Sequence, residues 1–599
     1  MNTINDVHQQ FALFFQDEQL QPWAWYLSMR LSEGHICVPV NDGSIFKSGQ
    51  PFDIQPDAEK LRDCKRYVST EPETVRPFIL YRDKLYLQRY FNYETQVVEQ
   101  LKERMDNSRE KQQVYRNQLT QYKSLIESLV AETPATGLLP DQKPDWQLIA
   151  VIRAMLSDFS IITGGPGTGK TTTLAKLLFL LFTTQPGSRV ALAAPTGKAS
   201  MRMLESLRER TKDFPAEIVA EIQQLKPFTL HRLLGYKRNS IYFKHNKEQA
   251  LPYDWVIVDE ASMIDVPMFA KLLSACKPET RLLLLGDKDQ LASVEAGSLL
   301  GDLCISAGQL NRFPNEEINW LNTFIPIEER QIPKEFSSSV QSSLAGCITE
   351  LRYSHRFDKQ GEIGQLSQSI IQGQSDLALE LLKAGPADKI SMTDNTDESS
   401  FAAFIEGYTA FMQEKDIAAA LNKFNLLRVL VTVREGENGL YNINRKIERI
   451  LHAAHPHMIR PDGGFYNNRP IIMTRNNYDL DLFNGDVGIV RIDPITNQLF
   501  VWFEAIEKDN PPRPFNPVYL SDCETVFAMT IHKSQGSEFE KVMVVLPDQV
   551  DSPLLTRELL YTGVTRAKNV AVIRGTAECL MAGISRQVER ISGLKTRLG

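Results

Sequence analysis

The sequence lacks paired cysteines, long apolar runs and an excess of positive charge. Its seven cysteines stand singly and form no C-x-x-C pair, which fits neither a disulfide framework nor a zinc or iron–sulfur site. The longest apolar stretch, residues 177–182, is far too short to span a bilayer, and no basic region followed by an apolar core opens the chain. We therefore expect a cytoplasmic protein that does not enter the membrane.

The charge balance limits how the protein could bind a polyanion. The 599 residues carry 67 lysines and arginines against 74 aspartates and glutamates, a formal net charge of -7. This balance argues against a generally basic surface that coats nucleic acid, so a polyanionic partner must be held in a local positive groove. The hydrophobic fraction of 42% and the aromatic fraction of 9% are typical of globular proteins, and the length predicts several domains.

One glycine-rich stretch lies between an apolar run, residues 159–162, and an apolar-periodic helix, residues 174–182. It fits the phosphate-binding pattern G-x-x-x-x-G-K-T, with backbone N–H groups and the helix N-terminus around the β-phosphate. Lys170 is expected to reach the β- and γ-phosphates and Thr171 to hold Mg²⁺. The alternative is an ordinary glycine-rich turn, and the loop by itself predicts only a bound nucleoside triphosphate. The predicted loop comprises Gly164, Gly165, Pro166, Gly167, Thr168, Gly169, Lys170, Thr171 and Thr172.

Further polar positions stand at the ends of predicted strands and helices. Gln147 opens a helix before the first strand, where its amide can pair with adenine and select ATP; an ordinary surface role is the alternative. Asp259 and Glu260 end an apolar strand, so Asp259 is expected to hold Mg²⁺ and Glu260 to position or deprotonate the attacking water. Gln290 follows the next strand and is expected to sense the γ-phosphate. The alternation of strands and helices predicts an α/β doubly wound parallel sheet.

Ordered motifs in both halves of the chain resemble those of superfamily-one DNA helicases. They are residues 194–199, 229–235, 286–291, 354–357, 528–539 and 561–568. Closer still, several stretches resemble the RecD family, the alpha subunits of exodeoxyribonuclease V. These are residues 290–297, 434–436 with 444–448, 482–488 and 589–594. The resemblance covers about residues 146–594. Stand-alone relatives carry N-terminal helix-hairpin-helix modules with a G-x-G turn, and no G-x-G occurs before residue 160, which favours the complex-subunit branch.

The resemblance implies two RecA-like doubly wound motor domains in tandem. Residues 1–115 are expected to form a mixed α+β domain that docks a partner. Residues 116–345 are expected to form the first motor domain, with a β-hairpin insertion near 236–252. Residues 346–599 are expected to form the second, with a small β-barrel-like insertion near 475–525. A solvated basic loop is the alternative to the hairpin.

The resemblance also implies further site residues. Arg356 and Arg566 would reach across from the second motor domain to the γ-phosphate, although either arginine could instead form a structural salt bridge. Gly536 and Glu538 would lie near the ribose and the phosphates. Four residues would face single-stranded DNA, with bracing of loops as the alternative for the two histidines. They are Thr196, His231, Thr530 and His532.

The implied function is an ATP- and Mg²⁺-dependent helicase that moves 5′ to 3′ on single-stranded DNA. It would act at duplex ends in recombinational repair, in a heterotrimer with the beta and gamma subunits of exodeoxyribonuclease V. No acidic cluster has the spacing of a nuclease site, so cleavage is expected in a partner chain. The alternatives are a stand-alone repair helicase and a scaffold or regulatory subunit with a vestigial ATP site.

Overall fold

The computed structural model contains a small N-terminal domain, two α/β domains and an antiparallel insertion. It describes residues 6–41, 58–130, 138–237, 240, 242–293, 295–339, 342, 344–355, 361–461, 464–477, 479–493, 496–505 and 510–598. None of the helices in these ranges combines the length and the apolarity that a membrane span requires.

The N-terminal domain packs three helices on a four-stranded sheet of order β1-β4-β3-β2. Strands β3 and β4 form a hairpin because Arg82 and Asp83 adopt positive φ angles of 46° and 57°, as a tight two-residue turn requires. The elements are α1 Val7–Leu13, α2 Gln21–Ser32, β1 Cys37–Pro39, α3 Ala58–Asp63, β2 Val68–Ser69, β3 Phe78–Tyr81 and β4 Lys84–Leu87.

A 34-residue helix, α4 (Gln88–Gln121), leads from this sheet along the first α/β domain and is followed by α5 (Lys123–Glu127). The buried Arg104 guanidinium donates to the carbonyls of Thr280 at 2.6 Å and Lys277 at 3.1 Å. The predicted boundary at residue 115 is therefore wrong. It falls inside a continuous helix whose polar side chains are partly buried against the next domain.

The first α/β domain has a six-stranded parallel sheet of order β10-β5-β9-β8-β6-β7. Its central strands are buried along their whole length, as parallel strands covered by helices on both faces must be. The elements are α6 Trp146–Met155, β5 Phe159–Thr163, α7 Lys170–Thr184, β6 Val190–Ala194, α8 Gly197–Arg210, α9 Ala216–Gln224, β7 Pro227–Thr229, α10 Leu230–Leu234, β8 Trp255–Val258, α11 Val266–Ala275, β9 Arg281–Gly286, α12 Leu299–Ser306, α13 Asn315–Asn322 and β10 Ile348–Glu350.

Two predicted features of this domain differ from the structure. Strand β10 pairs with β5, Ile348 opposite Ile161, so the domain extends past the predicted boundary at residue 345. No strand occurs among the described residues of 236–252, and the predicted β-hairpin is wrong for them. The chain returns beside α10 through two backbone hydrogen bonds, Lys244 N–H to Gly235 at 2.9 Å and His245 N–H to Leu234 at 2.9 Å, and forms a compact loop.

The second α/β domain has a five-stranded parallel sheet of order β11-β20-β19-β12-β18, which confirms the predicted tandem of doubly wound sheets. Helices cover both of its faces around one core. Its elements are α14 Glu362–Ile371, α15 Ser375–Ala384, β11 Ile390–Thr393, α16 Glu398–Ile405, α17 Thr409–Gln413, α18 Ile417–Phe424, β12 Leu427–Val431, α19 Leu440–Ala454, β18 Ala528–Thr530, β19 Phe539–Val545, α20 Arg557–Val564, β20 Ala567–Arg574 and α21 Ala577–Ser585.

An antiparallel sheet of order β16-β15-β14-β13-β17 is inserted between α19 and β18 and has a small core of its own. It begins at Pro470, five residues before the predicted start at 475. No pairing joins β16 to β17 in the part of the insertion that the structure describes, so these two strands are its edges. The strands are β13 Pro470–Met473, β14 Val487–Ile492, β15 Leu499–Phe503, β16 Arg513–Phe515 and β17 Cys523–Thr525.

The last described residues leave the second α/β domain and pack on the N-terminal domain and on α12. Ile36 N–H donates to the Ile591 carbonyl at 2.9 Å, and Gly593 N–H donates to Glu94 at 2.8 Å. Burial raises the pKa of the Glu94 carboxyl to about 7. The final helix, α22 (Leu594–Leu598), contacts α12 and α4. The predicted assignment of residues 346–599 to one domain is therefore wrong for this tail.

Arg153 on α6 holds β10 in the first sheet. Its guanidinium is 4% exposed and donates to the Ile348 carbonyl at 2.7 Å and to Thr349 Oγ1 at 2.9 Å. It also pairs with Glu317 at 3.4 Å. One side chain therefore satisfies several buried acceptors on the strand that precedes the passage between the two α/β domains.

Replacing Arg153 by methionine should lower the stability of the first α/β domain by about 3 kcal/mol, because these acceptors and Glu317 lose a buried charged partner. The thermal midpoint, followed by tryptophan fluorescence, should fall by roughly 6–12 °C for a domain of this size. Arg109→Met is the control, since its side chain is 59% exposed and pairs with an exposed Asp106. It should change stability by less than about 0.5 kcal/mol. Equal midpoints for the two variants would contradict the role of Arg153.

Candidate functional site

A cleft of about 2080 Å³ opens at the carboxyl ends of the first sheet and is also lined by the second α/β domain. Gly164 and Gly165 lie at the base of the phosphate-binding loop, which forms one wall of the cleft. Arg356 lies outside the described residues. The cleft brings together these predicted residues: Gln147, Pro166, Gly167, Thr168, Gly169, Lys170, Thr171, Thr172, Asp259, Glu260, Gln290, Gly536, Glu538 and Arg566.

The loop between β5 and α7 is a tight turn that leads into the helix N-terminus. Gly169 has a φ of 86°, a backbone conformation that favours glycine, and a Cβ there would displace the Gln147 amide, whose nitrogen would lie 2.2 Å away. Lys170 Nζ donates to the carbonyls of Gly164 at 2.7 Å and Gly165 at 3.2 Å. The ammonium therefore lies across the loop, beside the N–H groups of the first turn of α7, where an anion is favoured.

The segment that follows β10 crosses the outside of this loop. Ser354 Oγ donates to the Pro166 carbonyl at 2.9 Å, and His355 N–H donates to the Gly167 carbonyl at 2.8 Å. Gln147 Nε2 donates to the Thr168 carbonyl at 3.3 Å and lies 3.4 Å from His355 Nε2. The chain that leads to the second α/β domain thus holds the loop, a contact that the sequence motifs did not predict.

Asp259 and Glu260 follow β8 and face the loop across the cleft. Glu260 has a positive φ of 52°, and its N–H donates to Asp259 Oδ1 at 2.8 Å. Burial and the charge of Glu260 raise the pKa of Asp259 to about 6, while Lys170 acts in the opposite direction. Carboxylate and hydroxyl oxygens are the ligands that Mg²⁺ prefers. Asp259 and Thr171 therefore fit a Mg²⁺ ion, whose charge would offset the crowded carboxylates.

A buried carboxylate joins the two α/β domains behind these acids. Asp287 Oδ2 accepts hydrogen bonds from Gln290 Nε2 at 3.2 Å and from the Tyr561 hydroxyl of α20 at 3.0 Å. Burial raises the pKa of Asp287. Leu291 N–H donates to Thr562 Oγ1 at 2.9 Å. Asp287 and Tyr561 lie inside recognised motifs but were not predicted as site residues, because only the packed domains bring them together.

Arg566 follows α20 and is 4% exposed. Its Nε donates to the Thr562 carbonyl at 3.1 Å and its Nη1 to the Ser537 carbonyl at 3.3 Å, and the side chain lines the cleft. From the first α/β domain, Arg202 on α8 donates to the Gly536 carbonyl. Cationic side chains thus connect the segment 536–538 to both sides of the cleft.

The predicted DNA-binding residues lie at the carboxyl ends of strands or just beyond them. Thr196 caps α8 and accepts from Ala199 N–H at 3.2 Å. Thr530 ends β18 and is 8% exposed. The exposed His231 ring lies 5.7 Å from the Phe243 ring, edge to face. Burial lowers the pKa of His532, which favours its neutral form at pH 7.

Comparison with known proteins agrees with this arrangement. Residues 147–296 match the family described as AAA domain, and residues 525–573 match the UvrD-like helicase C-terminal domain. The RecBCD enzyme subunit RecD of Haemophilus influenzae is 37% identical over 485 residues, which cover 76% of this chain and 72% of that protein. The RecBCD enzyme subunit RecD of Mycolicibacterium smegmatis is 33% identical over 586 residues, 95% of this chain and 91% of that one.

A more distant relative has a different length. The ATP-dependent RecD2 DNA helicase of Deinococcus radiodurans is 27% identical over 484 residues, which cover 78% of this chain but only 55% of that protein. The two RecD subunits, by contrast, align over most of their own length as well as most of this one. With its paired α/β domains and the cleft between them, the chain belongs to the RecD family.

Proposed function

We propose that the chain is an ATP-dependent DNA helicase that moves 5′ to 3′ on single-stranded DNA as the motor subunit of a RecBCD-type complex. The observation that carries the proposal is the single cleft in which Lys170, Glu260 and Gln290 of the first α/β domain meet Gly536 and Arg566 of the second. Membership of the RecD family supports the same function. A cleft built from both domains lets nucleotide binding and hydrolysis alter how the domains sit on a strand.

ATP binding is assigned to the loop side of the cleft. Lys170 Nζ exchanges its contacts with the loop carbonyls for the β- and γ-phosphates, while the amide of Gln147 stands at the loop's outer side, where adenine is selected. Thr171 and Asp259 would hold Mg²⁺, which would supply charge neutralisation for the phosphates. Gly536 and Glu538 close the opposite wall.

Hydrolysis is assigned to groups from both domains. Glu260 positions or deprotonates the attacking water, and Gln290, held by Asp287, orients it. Arg566 stabilises the charge that develops on the γ-phosphate, and we assign the same role to Arg356. Arginines of this kind contribute roughly 10³–10⁵ in rate. Because Arg566 belongs to the second domain, hydrolysis depends on the two domains being together.

The DNA strand is assigned to the segments around Thr196, His231, Thr530 and His532, which hold the sugar–phosphate track without reading sequence. Two of these residues belong to each α/β domain. Opening or closing of the cleft therefore alters the distance between the two sets of DNA contacts. The beta and gamma subunits of exodeoxyribonuclease V are the proposed partners at duplex ends, and cleavage is assigned to a partner. The proposed location is the cytoplasm.

Lys170→Gln should lower single-strand-stimulated ATP turnover about 10²-fold or more, because the variant loses the charged donor to the phosphates. Thermal stability and assembly with the partner subunits should stay unchanged. Lys123→Gln is the control, since Lys123 forms an exposed ion pair with Glu127 on α5. Turnover in Lys170→Gln equal to that of the control would refute the assignment of the ATP site.

Tyr561→Phe should lower the turnover number of the DNA-stimulated ATPase about tenfold or more, because Asp287 loses a donor from the other domain. The Kd for single-stranded DNA should stay the same. The control is Tyr519→Phe in the insertion, whose side chain is 68% exposed. A normal turnover number in Tyr561→Phe would show that this hydrogen bond does not couple the domains.

The direction of movement can be tested by strand displacement on duplexes that carry one single-stranded tail. The isolated chain should unwind duplexes with a 5′ tail and leave those with a 3′ tail intact, because the proposed movement runs 5′ to 3′ along the tail. The Lys170→Gln variant should unwind neither. Displacement from the 3′ tail only would overturn the proposed direction.

A further inference from the structure

The C-terminal tail, residues 586–598, passes from the second α/β domain to the N-terminal domain within a few residues. Val588 N–H donates to the Glu558 carboxylate of α20 at 3.0 Å. Ile591 N–H donates to His35 Nδ1 at 3.0 Å, and its carbonyl accepts from Ile36 N–H at 2.9 Å. An extended chain covers at most about 3.6 Å per residue, so the span from Val588 to Ile591 is short. A movement of the second domain at this edge is therefore passed directly to the tail.

Arg590 lies within this short span and bonds to the first α/β domain. Its Nη1 donates to the carbonyls of Glu295 at 3.0 Å and Gly297 at 2.8 Å. The backbone of Gly34 lies against the other side of the guanidinium, since a Cβ on Gly34 would lie 2.9 Å from Arg590 Cζ. The side chain is thus held in one orientation between the N-terminal domain and two carbonyls of the first domain.

The same two carbonyls accept a second hydrogen-bond donor, the hydroxyl of Ser293. Ser293 Oγ lies 3.1 Å from the Glu295 oxygen and 3.2 Å from the Gly297 oxygen, and the residue is 6% exposed. A carbonyl oxygen has two lone pairs and can accept from both side chains. Arg590 therefore fixes the acceptors to which Ser293 bonds, and Ser293 stands three positions after Gln290.

The second α/β domain holds the other end of this stretch. Leu291 N–H donates to Thr562 Oγ1 at 2.9 Å, and the Leu291 carbonyl accepts from Gln535 Nε2 at 3.0 Å. The backbone from Leu291 to Ser293 is thus held at one end by the second domain and at the other by the tail. The position of Gln290, directly before it, depends on both.

Arg590 also acts on a residue that we assign to the DNA strand. Burial is the main cause that lowers the pKa of His532, and the charge of Arg590 lowers it further. Because the interaction of two charges weakens with distance, the two side chains are neighbours. Arg590 therefore lies close to the proposed strand contacts as well as to the segment that follows Gln290.

We propose that Arg590 is a positioning residue for ATP hydrolysis, which acts on Gln290 through Ser293. The guanidinium does not touch the nucleotide. It fixes the two carbonyls to which Ser293 bonds, and thereby the backbone that leads back to Gln290. A small displacement of a group that orients a reactant slows the chemical step. The inference rests on the proposed function, because Gln290 is assigned there to the attacking water.

Arg590→Gln should lower kcat of the DNA-stimulated ATPase about tenfold and change KM for ATP less than about twofold. The reason is that the shorter, neutral side chain cannot hold both carbonyls, while the phosphate-binding loop is untouched. Arg590→Lys keeps a cationic donor and should restore kcat to within about threefold of the unaltered chain. The assay uses the full chain, with any partner subunits that purify with it, and saturating oligothymidylate.

Arg586→Gln is the matched control. The Arg586 guanidinium also donates from the tail to backbone carbonyls, those of Leu555 at 3.1 Å and Val550 at 3.4 Å, but all of them belong to the second domain. Below the thermal midpoints of both variants, Arg586→Gln should keep the kcat of the unaltered chain. Equal kcat values for Arg590→Gln and Arg586→Gln would overturn the positioning role alone. An unaltered chain without DNA-stimulated turnover would instead refute the proposed function.

Ser293→Ala separates positioning from a direct contact of Arg590 with DNA. The two side chains hold the same carbonyls, so in the double variant the losses of kcat should combine to less than their product. The slope of log Kd for oligothymidylate against log salt should be the same in Arg590→Gln and in the unaltered chain. Losses that multiply would contradict the route through Ser293. A slope smaller by about 0.7 would show that Arg590 binds a phosphate and would overturn the proposal.

Discussion

The buried carboxylate of Asp287 is the interaction on which the closed cleft depends. It accepts a hydrogen bond from Gln290 of its own domain and another from Tyr561 of the second domain. A buried charge that loses its donors costs several kcal/mol unless water replaces them. The packed domains keep these donors in place. Separating the two domains therefore requires water to reach Asp287. Gln290, which lines the cleft, therefore responds to the same event that moves the second domain.

The phosphate-binding loop is held by the passage between the domains as well as by its own helix. Ser354 and His355 contact the carbonyls of Pro166 and Gly167 just after β10, the last strand of the first sheet. Arg153 on α6 fixes that strand by donating a hydrogen bond to the Ile348 carbonyl. Movement of Ser354 and His355 therefore alters their contacts with Pro166 and Gly167 on the outer side of the loop, while β5 and α7 hold its two ends. The loop is thus linked to the second domain by covalent continuity as well as by contacts across the cleft.

The second motor domain and its cleft residues were predicted from the resemblance. Local sequence was sufficient to predict a doubly wound sheet and the cleft residues of the first α/β domain, because the loop, Asp259 and Gln290 each follow a buried strand directly. It was not sufficient for Asp287 with Tyr561, which are 274 residues apart and meet only when both domains are packed. The predicted hairpin near 236–252 came from the resemblance alone, and the loop instead bonds to the end of α10. Sequence also does not show that Arg104, in the polar helix before the first sheet, finds carbonyl partners in the next domain.

The C-terminal tail adds a second connection among all three domains. Arg590 donates to the carbonyls of Glu295 at 3.0 Å and Gly297 at 2.8 Å, and Gly297 N–H donates to Gly34 of the N-terminal domain at 2.9 Å. Residues 295–297 follow Gln290 closely along the chain. The N-terminal domain and the end of the second α/β domain therefore meet on the segment that follows Gln290. Because Gly297 N–H donates to the Gly34 carbonyl, displacement of the N-terminal domain must break this backbone hydrogen bond or move that segment with it.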